Sequence, residues 1–237
     1  MTRQLVVNAD DFGMHPMVDR GVVIGHGRGV VTSASLMVRG RSAEGAVAEA
    51  RRLPRLSVGL HLDLGEWTHS EAGWRPAYEV VDLEDADAVA RDVDRQLARF
   101  AELRGGPPTH IDSHQHVHLG AVVGEVVAER AAALGVPVRA RTPGVHHVGG
   151  FYGQSGTGEP FPEGISLERL AELIRGLPEG TAELSCHPAA GPTVPPYSAE
   201  RVEELRVLCH PRVRAVLRQE GVDLVGFHEL GGGEGVR

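Results

Sequence analysis

The chain has 237 residues, 24 of them basic and 32 acidic, for a formal net charge of −8, and every basic residue is arginine. Hydrophobic residues make up 41% and charged residues 24%, a balance that excludes a disordered chain and suits a globular core, expected as a single domain over 1–237. The acidic balance without a basic block argues against nucleic acid or an anionic membrane as partner. The two cysteines, Cys186 and Cys209, are too few for a disulfide framework. No stretch resembles a signal-peptide core or the ~18-residue apolar run of a membrane span, so the expected location is the cytoplasm.

Short β-branched runs alternate with stretches of helical period along the chain. A strand over 5–9 runs into Asn8-Ala9-Asp10-Asp11-Phe12-Gly13, followed by a helix over 16–28. A strand over 31–38 precedes a helix over 42–53. The third strand, 56–64, leads into a Gly/Pro/aromatic loop over 65–82 and a helix over 84–104. The fourth, 108–113, precedes a helix over 121–134. The fifth, 138–140, is followed by a second long loop over 143–165 and a helix over 166–177. The sixth, 182–187, is followed by a helical stretch over 198–219 that breaks near Pro211, and the seventh spans 223–226. The tail 231–237 is expected to fray.

This β-α order predicts an α/β fold with a parallel sheet flanked by helices. In Ser57-Val58-Gly59-Leu60-His61-Leu62-Asp63-Leu64 one face is apolar, while the other carries Ser57, Gly59, His61 and Asp63. Glu183, Ser185 and His187 likewise share a face, with Leu184 and Cys186 opposite. An open sheet covered by helices on both sides reads as a continuous apolar run. A polar face turned inward predicts a closed, TIM-like (β/α) barrel instead.

Thirteen histidines are many for an acidic chain, and imidazole is the commonest metal ligand. Three polar clusters stand at or beyond strand C-termini, the ends that meet at the mouth of an α/β barrel. They are Asp10-Asp11, His61, and the run Thr109-His110-Ile111-Asp112-Ser113-His114-Gln115-His116-Val117-His118. Two imidazoles and a carboxylate leave a cation with open positions for water and a substrate oxygen. A second carboxylate off the metal can take the water's proton. His187, ending the sixth strand, is the natural acid for a leaving amine. Arg141, ending the fifth, is placed to hold the free carboxylate ionised. Each feature also has a plainer reading: an Asp capping the first helix, a core histidine, a surface arginine. Cys186 faces the helices by strand alternation and is expected to be inert. No GxSxG elbow, Walker loop or GxGxxG follows a strand, so no nucleotide cofactor is expected.

Taken together, Leu5-Val6-Val7-Asn8-Ala9-Asp10-Asp11-Phe12-Gly13, Val31-Thr32-Ser33, Val58-Gly59-Leu60-His61-Leu62, the Thr109–His118 run and Glu183-Leu184-Ser185-Cys186-His187-Pro188 resemble the YdjC-like carbohydrate deacetylases over 5–230. The resemblance implies a seven-stranded distorted (β/α) barrel and hydrolysis of an N-acetylated sugar to amine and acetate. It also implies one divalent metal, Mg²⁺ in that family, although two imidazoles suit Zn²⁺ or another transition ion better. Carried over, Asp11, His61 and His114 are the metal ligands, Asp10 the general base and His187 the acid. The expected partner is a small-molecule N-acetylated sugar, and a homodimer is an assembly that family often adopts. Ala189 departs from the glycine frequent at that position. Trp67, Trp74, Phe151 and Tyr152, in the two long loops, either stack on a sugar ring or pin their own loops. The rival readings are another barrel metallohydrolase, for which His116-Val117-His118 mimics a His-x-His ligand pair, and a sugar- or metal-binding protein without catalysis.

Overall fold

Strands that alternate polar and apolar residues yet are buried on both faces need two different interiors, and the curled sheet supplies both. The computed structural model describes residues 2–70, 73–193 and 197–230. Its strands are β1 (Arg3–Phe12), β2 (Ser33–Leu36), β3 (Ser57–Leu62), β4 (Gly65–Ser70), β5 (Gly73–Glu79), β6 (Ile111–Ser113), β7 (Val145–Val148), β8 (Gly180–Cys186) and β9 (Val222–Leu224). Its helices are α1 (Pro16–Arg28), α2 (Ala43–Ala50), α3 (Ala86–Arg104), α4 (Ala121–Leu134), α5 (Leu167–Arg175), α6 (Ala199–Leu208), α7 (Pro211–Gln219) and α8 (Phe227–Leu230). Helix termini follow local chemistry. His15 Nδ1 accepts the Met17 amide ahead of α1, where Pro16 stands at the first position, and Asp85 accepts the Ala88 amide to open α3, which Gly105 closes at φ 83°.

Among the described residues seven strands form one parallel sheet, six of them in the order β6-β3-β2-β1-β8-β7 and the seventh, β9, paired with β1 off that path. β8 runs along one edge of β1 from Arg3 to Ala9. On the other edge β9 pairs the first residues of β1 and β2 pairs the last. Parallel neighbours require crossovers, and helices provide them. The apolar face, with Val58, Leu60 and Leu62 of β3, joins Val89, Val93 and Phe100 of α3 in one core. Complete burial of a side chain such as Phe100 stabilises by roughly 2–3 kcal/mol. The opposite face is equally buried and polar: Asn8, Asp10, Ser33, Ser35, His61, Asp112, Glu183 and Ser185 lie along it.

The expected closed barrel is corrected here: among the described residues β6 and β7, the ends of the sheet, do not pair with each other. The strand expected over 138–140 shrinks to a single bridge from Val138 to Ile111. Ala140 is left-handed at φ 55°, and the Val138 amide donates to Thr142 Oγ1 at 2.7 Å, so a turn replaces the strand. The seventh sheet position goes to β7, inside the segment expected to be a loop over 143–165. Across the unpaired seam the buried Arg139 guanidinium bridges carboxylates of β1, β6 and β8. The loop expected over 65–82 contains the antiparallel hairpin β4–β5. The tail 231–237 lies outside the described residues. No helix among those described is long and apolar enough to cross a membrane.

Candidate active site

Five of the six site residues singled out in the sequence, Asp10, Asp11, His61, His114 and His187, line one cavity of about 760 Å³ at the C-terminal ends of the strands. Asp10 and Asp11 are chain neighbours, and neighbours on a strand ordinarily point to opposite faces. Between Ala9 and Phe12 the register of β1 against β2 shifts by one residue, and Asp11 is left-handed at φ 63°. The bulge turns both carboxylates into the cavity.

Asp11 Oδ1 lies 3.0 Å from His114 Nδ1 and 3.2 Å from His61 Nε2. Donor atoms of these three residues fall within 4.8 Å of one another. The other ring nitrogen of His61, Nδ1, is 2.7 Å from Asp112 Oδ1 and 3.1 Å from Ser35 Oγ. A carboxylate behind an imidazole fixes its tautomer and frees the far nitrogen to ligate. Burial opposes charge on His61, yet Asp112 and Asp11 outweigh it and lift the ring to about 10. The site thus strongly favours a positive charge between these groups. Two imidazole nitrogens and a carboxylate oxygen aimed at one point fit a divalent cation.

Asp10 is held differently. Arg139 Nη1 and Nη2 donate to its two oxygens at 2.6 and 2.7 Å, and Asn8 Nδ2 donates to Oδ1 at 2.9 Å. Burial works against the Asp10 charge, but the guanidinium prevails and holds it at about 2. Arg139 also contacts Asp112 and, through Nε, Glu183. Burial pushes Glu183 up to about 7 despite that contact. Arg141 does not take the place expected for it. Its Nε donates to the His118 carbonyl at 3.0 Å and its Nη2 to those of Leu119 and Gly120, so it closes the turn ahead of α4 while Arg139, two residues earlier, reaches Asp10.

His187 Nε2 is 3.8 Å from Asp10 Oδ2, and its Nδ1 is 3.8 Å from Glu204 Oε1. Burial lowers the His187 pKa, but the Glu204 carboxylate outweighs it and the net shift is upward. Glu204 on α6 is fully buried; it accepts the His187 amide and the Tyr197 hydroxyl. Cys186 faces away from the cavity as alternation requires. Its Sγ donates to the Asn8 carbonyl at 3.3 Å, and burial drives its pKa well above the usual thiol range.

The histidine run divides its work. His114 opens a 3-10 turn over His114–Leu119, within which Gln115 and His116 are left-handed. His118 Nδ1 lies 2.7 Å from Ser113 Oγ and its Nε2 3.1 Å from the Arg139 carbonyl, which anchors the turn. His110 stacks on Phe227 with ring centroids 4.0 Å apart and lies against Gly59, where a Cβ would collide with its ring. Burial keeps His110, His116 and His118 near 4, uncharged at neutral pH.

The rim comes from the hairpin β4–β5 and the loop carrying Tyr152 and residues 154–159. Gln115 clamps the hairpin to the turn, accepting from the Trp67 amide at 2.8 Å and donating to its carbonyl at 2.9 Å. Tyr152 stacks on Tyr197 at 4.7 Å and meets His187 edge-on. Trp67, Trp74 and Tyr152 line the cavity. Phe151 does not; it is 1% exposed and packs in the core, pinning its loop.

Four residues here lay beyond sequence reasoning: Asp112, Arg139, Glu204 and Arg201, whose Nη2 donates to Asp11 Oδ2 at 2.6 Å. Asp112 sat inside the histidine run and shares the inward face of its strand, a usable signal. Arg139 and Arg141 share a strand face, so alternation could not choose between them. Arg201 and Glu204 are ordinary helix residues with no motif.

The chain matches the family described as YdjC-like protein over residues 4–219. The chitooligosaccharide deacetylase of Serratia marcescens is 35% identical, with 97% of this chain and 100% of the relative covered. The carbohydrate deacetylase of Mus musculus is 33% identical, with 98% and 97% covered. The crystal structure of a candidate cellobiose-phosphate cleavage protein from Enterococcus faecalis V583 shares the fold, with a TM-score of 0.78 at 24% identity over 97% of this chain and 99% of that one.

Proposed function

We propose that this chain, which belongs to the YdjC-like family, is a hydrolase that removes the acetyl group from a small N-acetylated sugar or oligosaccharide with the help of one divalent cation. The observation that carries this reading is the convergence of Asp11, His61 and His114 within 4.8 Å, in the same cavity as a second carboxylate, Asp10, and a basic imidazole, His187. A cation held by Asp11, His61 and His114 supplies Lewis acidity, polarising the acyl oxygen and acidifying a water. The donor set suits a transition ion better than magnesium. The family resemblance further supports reading the curled sheet as a distorted seven-stranded barrel, its open seam strutted by Arg139.

The protein's own groups then divide the proton work. Asp10 takes a proton from water as the oxygen adds to the acyl carbon. A carboxylate held at about 2 is a weak base, suited to pass the proton on rather than to keep it. Arg139 keeps it ionised and aimed. His187, made more basic by Glu204, carries the proton that the nitrogen accepts as the C–N bond breaks, releasing acetate and free amine. Tyr152, beside His187 and open on the cavity side, offers a face on which a pyranose ring can lie.

The test is acetate release from a panel of N-acetylated mono- and oligosaccharides, run with protein reloaded with Zn²⁺, Co²⁺ or Mg²⁺ and with chelator-treated protein. Release that depends on the cation is the expected result. No release from any member of the panel with any cation would overturn the reading.

A further inference from the structure

We infer that Arg201 is a positioning residue for the candidate cation site: it occupies one oxygen of Asp11, leaves only the other facing the two imidazoles, and weakens cation binding by its charge. This rests on the reading of Asp11, His61 and His114 as ligands. The Asp11 carboxylate is divided between two environments. Oδ1 faces His114 Nδ1 at 3.0 Å and His61 Nε2 at 3.2 Å, while Oδ2 receives Arg201 Nη2 at 2.6 Å. The guanidinium cannot swing away. Its side chain is 7% exposed, Nε donates to the Tyr197 carbonyl at 3.0 Å, and its carbon lies 5.5 Å from the centre of the Tyr197 ring. The Ala189 amide, two residues beyond His187, donates to the Arg201 carbonyl at 3.0 Å and ties this first turn of α6 to the strand end carrying the acid.

Arg139 grips Asp10 with two N–H groups, one on each oxygen. Arg201 gives Asp11 a single N–H, and its buried Nη1 bonds to no protein atom among the described residues. The consequence is electrostatic. Arg201 cancels the charge of Asp11, the two imidazoles are neutral donors when ligating, and the attraction left for a dication comes from Asp112 behind His61 rather than from the ligand carboxylate. A full positive charge beside a ligand carboxylate in a partly dry site repels a second cation strongly. The bound ion is correspondingly less neutralised and more electrophilic, so weak holding and strong polarisation go together.

The experiment is calorimetric titration of the chelator-treated full chain with Co²⁺, without substrate, for the parent and for Arg201→Met, Arg201→Gln and Arg201→Lys. Arg201→Met and Arg201→Gln should bind Co²⁺ at least about tenfold more tightly, and Arg201→Lys, which keeps the charge, should stay within about threefold of the parent. In acetate release both neutral variants should lose kcat with KM nearly unchanged. Gln keeps a donor toward Oδ2, so it carries the test if Arg201→Met loses its native circular-dichroism spectrum. A folded neutral variant that binds Co²⁺ no better than the parent would overturn the inference and make Arg201 a mere fold contact. A parent that binds no cation would instead sink the reading of the site on which the inference stands.

Discussion

Asp10 and Asp11 are adjacent in the chain, line the same cavity and are each paired with a buried arginine, yet they occupy two distinct stations. At the Asp10 station, between β1, β6 and β8, both carboxylate oxygens are held by the fork of Arg139 and one also by Asn8. At the Asp11 station, between the 3-10 turn, β3 and α6, one oxygen is held by Arg201 and the other is shared by two imidazoles. The first arrangement keeps an anion ionised and oriented, its oxygens taken up by Arg139 and Asn8 even though Asp10 also stands within 4.8 Å of His61 and Asp112 donor atoms. The second leaves one oxygen facing two imidazoles, the group proposed to hold the cation. The difference shows that a paired carboxylate takes its role from what stands on its free lone pairs, not from the presence of a counter-charge.

The sharpest way to break the comparison is to remove a ligand on one side and the base on the other. His114→Ala or Asp11→Asn should abolish cation binding by calorimetry and lower kcat/KM by more than about 10³-fold, the scale of losing the Lewis acid. Asp10→Asn should keep cation affinity within a few-fold while kcat falls about 10²- to 10⁴-fold, the scale of one acid–base group. Loss of the cation in Asp10→Asn would merge the two stations into one.

Arg139→Met asks whether the Asp10 station is also a strut. It strands Asp10, Asp112 and Glu183 without their shared counter-charge. Breaking such a buried pair costs about 3–5 kcal/mol, readable as a lower midpoint in urea. A smaller effect is expected at the acid. Glu204→Gln removes the charge that outweighs burial at His187, so the His187 pKa should fall. Protonated His187 would then be lost at lower pH, and the alkaline limb of kcat/KM should move down the pH scale. An unmoved limb would take the acid role from His187. The mildest change is at the rim. Tyr152→Ala should raise KM for an N-acetylated disaccharide about three- to tenfold through loss of ~1 kcal/mol of ring contact, with cation affinity unchanged and Tyr152→Phe close to the parent.

Much of the fold could be read from periodicity. The helix expected over 16–28 is α1, the one over 121–134 is α4, and the break near Pro211 separates α6 from α7. Alternation in Ser57–Leu62 correctly divided an apolar from a polar face, because a strand's side-chain period is fixed at two whatever surrounds it. The same rule has two limits. It does not specify closure, and the sheet stays open between β6 and β7. Applied past residue 9 it would also put Asp10 and Asp11 on opposite faces, whereas the bulge at Ala9–Phe12 brings both to the one cavity expected of them. The expected strand over 138–140 failed because Arg139 turns inward to three carboxylates and Ala140 leaves the extended region.

What the chain determined by itself is the set of short-range facts: where strands and helices lie, which residues face inward along each strand, and which unusual clusters of carboxylates and imidazoles stand at strand ends. These follow from backbone period and side-chain chemistry, which act over a few residues. Only the tertiary structure decided the pairings: Arg139 rather than Arg141 on Asp10, Asp112 behind His61, Glu204 beside His187 and Arg201 on Asp11. Partners of this kind lie 51 and 190 residues apart for His61–Asp112 and Asp11–Arg201. Charges in a dry interior couple through space, and distance along the chain carries no trace of that coupling.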